Sequence, residues 1–159
     1  MSLKIIGVLA ALAMLGACAD KATTSGATSG SGATASTAGV TPGSQEDLVA
    51  NVGDRVFYAL DSSSLSGDAR STLDRQSAWM ARYPQAGVQM AGNCDERGTT
   101  EYNLALGQRR ANAARDYLVA RGTASARITA VSYGKERPTA LGSDEQAYSQ
   151  NRNATTSVR

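Results

Sequence analysis

The chain has 159 residues, with 16 Lys and Arg against 14 Asp and Glu, so it is nearly neutral and lacks the strongly basic face that a nucleic-acid partner would need. It contains no histidine, which excludes Ser-His-Asp and Cys-His mechanisms and the common histidine-based zinc sites; no metal or other cofactor is expected. Its two cysteines, Cys18 and Cys94, are too few for a disulfide framework.

The chain opens "MSLKIIGVLA ALAMLGAC". Lys4 supplies a positive start, and Ile5 to Leu15 is a run of apolar and small residues. That run is too short to cross a bilayer, which takes ~20 residues. It reads as a secretory signal peptide over residues 1–17. "LGAC" resembles the lipobox of bacterial lipoproteins, which implies that Cys18 is acylated on its thiol and on its new amino terminus. Two or more acyl chains anchor a protein stably where one does not. Ala19 follows, where an inner-membrane retention signal would place Asp, so the resemblance implies the outer membrane, with the rest of the chain in the periplasm.

Residues 18–45 form the lipidated amino terminus and a tether. The stretch from Ala19 to Gln45 is almost wholly Ala, Ser, Thr and Gly, with Val40 as its single large aliphatic. Such a composition cannot bury enough apolar surface to offset the ordering of its backbone, so disorder is expected. A tether of this length spans ~30 Å typically and ~90 Å at full extension.

Large apolar residues recur from Glu46, and residues 46–159 are expected to form one domain of ~110 residues. "RVFYAL", Arg55 to Leu60, is rich in β-formers and ends at the turn-prone "DSSS". Asp68 to Tyr83 holds Leu73, Trp79 and Met80 without Gly or Pro, which predicts a helix ended by Pro84. "VQMAG", Val88 to Gly92, predicts a short strand. Thr100 to Arg121 is the clearest helix, with Tyr102, Leu106, Ala113 and Tyr117 at helical spacing and Gly122 as its stop. "RITAVSYG", Arg127 to Gly134, predicts a third strand. Ser143 to Asn151 reads as a short helix capped by Ser143, and "ATTSVR" as a fourth, weak strand. This alternation predicts an α/β sandwich with helices on one face of a small sheet.

The stretch "AGNCDERGTTEYN", Ala91 to Asn103, concentrates charge at the end of the second strand. Asn103 and Arg110 lie two helical turns apart on one face, and Gly107 between them is expected to leave that face bare. An acid at Asp95 and a base at Arg110 suit a zwitterion: a carboxylate takes an ammonium, and a guanidinium takes a carboxylate through two parallel hydrogen bonds. The spacing leaves two other readings open. Asp95, Glu96, Arg109 and Arg110 could be a solvated turn and helix face, since isolated surface pairs contribute little. Asp95, Glu96 and Glu101 could be the carboxylates of a cell-wall hydrolase, since glycoside hydrolysis uses two. Against that, Asp95 and Glu96 are neighbours whose side chains diverge, and no apolar pocket is evident to raise a pKa.

"GNCDERGTTEYNLALGQRRANAARDYL", Gly92 to Leu118, resembles the core motif of the OmpA-like peptidoglycan-binding domain family, Gly-His-x-Asp-x-x-Gly followed by Asn-x-x-Leu-x-x-x-Arg. "VSYGKERP", Val131 to Pro138, and "QNR", Gln150 to Arg152, extend the resemblance toward the branch of that family that works in the Tol–Pal system. The resemblance covers roughly Val56 to Arg152 and implies a β-α-β-α-β-α-β domain with a small mixed sheet. It implies a protein that is no enzyme. Such a protein binds the diaminopimelate-containing stem of peptidoglycan without covalent chemistry, docks with TolB, and serves outer-membrane integrity and constriction at division. A family member outside the Tol–Pal system, a plain peptidoglycan anchor, is the alternative. The family's ligand-binding aspartate falls on Asp95 and its arginine on Arg110; Asn103 matches the motif asparagine, Asp61 an aspartate on the pocket rim, and Arg97 a position close to the ligand. Four positions depart from the pattern: Asn93 replaces histidine, Ala59 an aspartate, Thr100 a proline and Asn153 a second arginine. Thr100 is expected to serve as an N-cap, and Asn93 to keep hydrogen-bonding capacity in its loop. Cys94, without an intramolecular partner once Cys18 is acylated, is expected to be a small semi-buried thiol under the loop.

Overall fold

The computed structural model describes residues 40–159; the expected signal peptide, Cys18 and most of the tether lie outside the described residues. Helix α1 (Gln45–Asn51), which periodicity did not reveal, opens the described part. Ser44 caps it by accepting from the Asp47 amide at 3.3 Å, and Leu48 is fully buried on its inner side. Strand β1 (Arg55–Phe57) is shorter than the β-rich run suggested. The chain leaves the sheet at Tyr58, and Asp61 takes a left-handed φ of 52° in the turn that follows.

Helix α2 (Gly67–Arg82) buries Leu73, Trp79 and Met80 and ends at Tyr83, just before Pro84. Arg127 closes its end by donating to the carbonyls of Met80 (2.9 Å), Tyr83 (2.8 Å) and Ala86 (2.7 Å), which satisfies acceptors a helix end leaves open. Strand β2 (Val88–Asn93) follows, then the long helix α3 (Thr100–Ala120). Thr99, not Thr100, caps α3, accepting from the Tyr102 amide at 3.2 Å. Gly122, at φ 97°, supplies the left-handed residue past its end. A short turn leads into β3 (Ile128–Gly134), and α4 (Glu145–Asn151) is capped by Asp144 rather than Ser143. The aspartate oxygen accepts from the Ala147 amide at 2.8 Å.

The chain ends in β4 (Asn153–Val158), and the sheet order is β1-β4-β2-β3. The tail expected to be a weak strand is therefore a central one. It pairs antiparallel with β1, Val56 opposite Ala154, and with β2, Met90 opposite Thr156. Its polarity is tolerated because its buried groups are bonded: the Thr156 hydroxyl donates to Gln76 Oε1 at 2.9 Å, and Asn153 Nδ2 donates to the Gln150 carbonyl at 2.7 Å. Strands β2 and β3 run parallel, joined through α3. Among the described residues the result is an α/β fold of four helices and a four-stranded mixed sheet; the alternation of elements predicted the α/β class, and the family resemblance implied the mixed sheet.

Helix α3 packs over β2 and β3, and α2 lies beside it and over β1. The core between them includes Val56, Leu73, Met80, Val88, Met90 and Leu118. The glycine on α3 corrects one expectation. Gly107 does not leave a face bare; it is where α3 touches the sheet. A Cβ on Gly92 would overlap the Gly107 carbonyl, and a Cβ on Gly107 would meet the Gly92 oxygen at 2.8 Å. The face that carries Asn103, Gly107 and Arg110 is thus turned inward, and both polar side chains are almost wholly buried.

Candidate functional site

The register of β2 and β3 shifts between Gly92 and Asn93, where β2 reaches its end. Beyond it the backbone of Cys94 still pairs, its amide donating to the Gly134 carbonyl at 2.8 Å. The next residue, Asp95, is held over a small cleft of about 80 Å³ between this loop, the turn after β1 and the first turns of α3. All five residues singled out in the sequence as ligand contacts, Asp61, Asp95, Arg97, Asn103 and Arg110, line this one cleft.

Their side chains have different tasks. The Arg110 guanidinium sits 5.3 Å from the Tyr58 ring centre and is 1 % exposed. It donates from Nε to the Ser62 carbonyl (2.8 Å), from Nη1 to the Asn93 carbonyl (2.9 Å) and Cys94 Sγ (3.3 Å), and from Nη2 to the Ala59 carbonyl (3.1 Å). A guanidinium has five N–H donors. One is left over, on Nη2, so a single donor is free where two parallel bonds were expected. Burial pushes its pKa down, yet a guanidinium stays charged. Its bonds also tie the Ala59–Ser62 turn, and with it Asp61, to the end of β2. Tyr58 completes the arrangement by donating to the Arg110 carbonyl at 2.8 Å.

Asn103 is structural in the same sense. Its Nδ2 donates to the carbonyls of Arg97 (2.7 Å) and Thr99 (3.1 Å), which fixes the loop ahead of α3. Lys135 does so from the other side, donating to the Gly98 carbonyl at 2.8 Å. Asp61 accepts from the Tyr102 hydroxyl on the cleft rim. Cys94 is free and buried; burial raises its pKa, and its thiol donates to the Asn103 carbonyl at 3.4 Å. The small thiol under the loop is as expected.

Asp95 is the centre of a charge network. Arg97 Nη2 lies 2.6 Å from Asp95 Oδ2, and Arg152 Nη1 lies 3.2 Å from the same oxygen. Both guanidinia reach on to Glu145, Arg152 at 2.7 Å and Arg97 at 3.6 Å. Burial works to raise the Asp95 pKa, but the hydrogen bonds from Arg97 and Arg152 outweigh it and hold the carboxyl below its ordinary value. Arg152 belongs to the "QNR" motif, whose spacing does not mark it as a partner of Asp95; Glu145 and Tyr148, on the preceding helix, carry no signal in sequence. The arrangement can bind charge of both signs. Among the described residues no group of three or more His, Cys, Asp and Glu side chains could hold a metal ion.

The opposed departures from the family pattern also meet here. Asn93 Nδ2 donates to Asn153 Oδ1 at 2.8 Å, from strands that lie apart in sequence.

Comparison with known proteins identifies the family. A model of the OmpA family matches residues 57–152. A peptidoglycan-associated lipoprotein of Rhizobium meliloti is 51% identical over 96% of this chain and 85% of its own length. One of Mesorhizobium japonicum is 49% identical over 97% of this chain and 90% of its own. The crystal structure of the peptidoglycan-associated lipoprotein from Burkholderia pseudomallei superposes with a TM-score of 0.65 at 42% identity, covering 67% of this chain and 90% of that one. The chain belongs to the OmpA family, in its branch of peptidoglycan-associated lipoproteins.

Proposed function

We propose that this protein is an outer-membrane lipoprotein, acylated at Cys18, whose periplasmic domain grips the stem peptide of peptidoglycan without catalysing a reaction. The observation that carries the reading is that Asp95 and Arg110, groups of opposite charge, line one cleft. Leu60, Tyr102 and Leu106 line the same cleft and offer apolar surface. A diaminopimelate residue has matching parts: an aliphatic chain and a zwitterionic far end. Asp95 takes the ammonium, and the spare Nη2 donor and charge of Arg110 take the carboxylate. A carboxylate hydrolase is disfavoured by the same geometry. Asp95 is held ionised by two arginines, and hydrogen bonds from Ser143 and Tyr148 hold Glu96 below its ordinary pKa as well. Neither is poised to donate a proton near neutral pH.

The test is sedimentation with purified sacculi. Asp95→Asn keeps the shape of the side chain and removes its charge, and it should lose at least about tenfold in affinity, the scale of a charge-assisted hydrogen bond. Binding equal to wild type would remove Asp95 from the site. Within the same reading, the relatives' branch and the motifs "SYGKERP" and "QNR" support a partner, TolB, and a role in the Tol–Pal system in outer-membrane integrity and constriction during division. Co-purification with TolB separates this from a plain peptidoglycan anchor.

A further inference from the structure

Two guanidinia hold Asp95, and they are not equivalent. Arg152 is 8% exposed in its side chain and is locked from three sides: by Asp95, by the Tyr58 carbonyl at 3.3 Å and by Glu145 at 2.7 Å. The Arg97 side chain is 40% exposed and comes from the neighbouring turn of the same loop. Its backbone, by contrast, is fixed. The Arg97 amide donates to Asp95 Oδ1 at 3.2 Å, and its carbonyl accepts from Asn103. The loop therefore keeps its shape whether or not the Arg97 side chain stays on Asp95.

The side chain also has somewhere to go. Its guanidinium already lies 4.4 Å from the centre of the Tyr148 ring and 3.6 Å from Glu145. Leaving Asp95 would cost it a two-point ion pair, Nη2 to Oδ2 at 2.6 Å and Nε to Oδ1 at 3.3 Å, while it keeps a stacked ring and a second carboxylate. At 2.6 Å, Arg97 Nη2 stands where an ammonium bound to Asp95 Oδ2 would stand.

We propose that Arg97 is an internal stand-in for the ligand's ammonium. It occupies Asp95 in the free protein and swings onto Tyr148 and Glu145 when the ligand's amine arrives, while Arg152 remains. This rests on the reading of Asp95 as the ammonium acceptor, and it changes the role of Arg97 from a ligand contact to a competitor. Two consequences follow from exchange. In the free protein the buried carboxylate keeps two cationic partners rather than Arg152 alone, which offsets more of the cost of its burial. The site also discriminates: only a cation able to replace a guanidinium gains entry, and a neutral stem residue does not. The observed affinity is lowered by the fraction of molecules in which Arg97 holds the site.

The experiment titrates the full-length protein and its variants with a synthetic stem tripeptide ending in meso-diaminopimelate. Arg97→Gln removes the competitor and should tighten binding about two- to fivefold, the scale of a half-exposed ion pair. In the wild type, the side-chain Nε–H resonance of Arg97 should shift on titration while that of Arg152 stays. Unchanged or weaker binding by Arg97→Gln, or an Arg97 resonance that does not move, would overturn the exchange. Asp95→Asn runs alongside: if it binds as well as wild type, the reading of Asp95 itself fails, whatever Arg97→Gln does.

Discussion

Asp47 shows how a single carboxylate can tie down the edge of the domain. It accepts from the Gly43 amide at 2.8 Å, Trp79 Nε1 at 2.9 Å and Asn51 Nδ2 at 2.7 Å. The Gly43 bond, then those from Trp79 and Asn51, bring its pKa down to about 2 from 3.8. A carboxyl with a folded pKa below its unfolded one stabilises the fold fully above the unfolded value. That contribution is lost as pH falls through the folded value. Wild-type melting temperature should therefore drop between pH 4 and pH 2 in part through Asp47, and Asp47→Asn should show a shallower drop across that window. Equal slopes in thermal melts of the two proteins would exclude the assignment. At the same scale, Asn93 and Asn153 were visible in sequence as separate departures from a motif. Their mutual bond was not, because nothing in a linear spacing says that β4 runs beside β2.

Elements were legible where their periodicity was strong. Helices α2 and α3 and strands β2 and β3 lie within a residue or two of their predicted bounds, because Leu73, Trp79 and Leu106 mark buried faces and Pro84 and Gly122 mark ends. Helix α1 escaped notice because its inner face rests on Leu48 and adjoins a run of small polar residues. The meaning of Gly107 was inverted for a related reason. A missing side chain on a helix face looks like space, whereas here it permits backbone contact between α3 and β2. Gly92→Ala should accordingly destabilise the domain by about 3 kcal/mol, at the upper end of overpacking costs, because the added Cβ overlaps main-chain atoms that cannot rotate away. Urea unfolding measures this, and a loss under about 1 kcal/mol would show that the helix can slide off the sheet.

For the whole molecule, a net charge of +2 produces little long-range field. Any salt dependence of sacculus binding must then arise in the cleft, where the Arg97 side chain that holds the buried Asp95 is 40% exposed. Raising salt from 0.1 to 0.5 M should weaken wild-type binding, and Asp95→Asn should be less sensitive. Salt-independent binding would point to the apolar walls, Leu60 and Leu106, as the main source of affinity.

The sequence by itself determined the class of fold, the five residues that border the cleft and the family, because each rests on local patterns: periodicity, caps and a long ordered motif. Only the tertiary structure decided which of those residues spend their hydrogen-bonding groups on the walls of the cleft and which sit in its charge network. Arg110 is consumed mostly by three carbonyls from two segments and Asn103 by its own loop. Asp95 is already neutralised by Arg97 and by Arg152, the second brought 57 positions along the chain. Such roles depend on which hydrogen-bond partners arrive from distant segments. That is settled by the placement of β4 at the centre of the sheet, which no local pattern in a polar carboxy-terminal strand could announce.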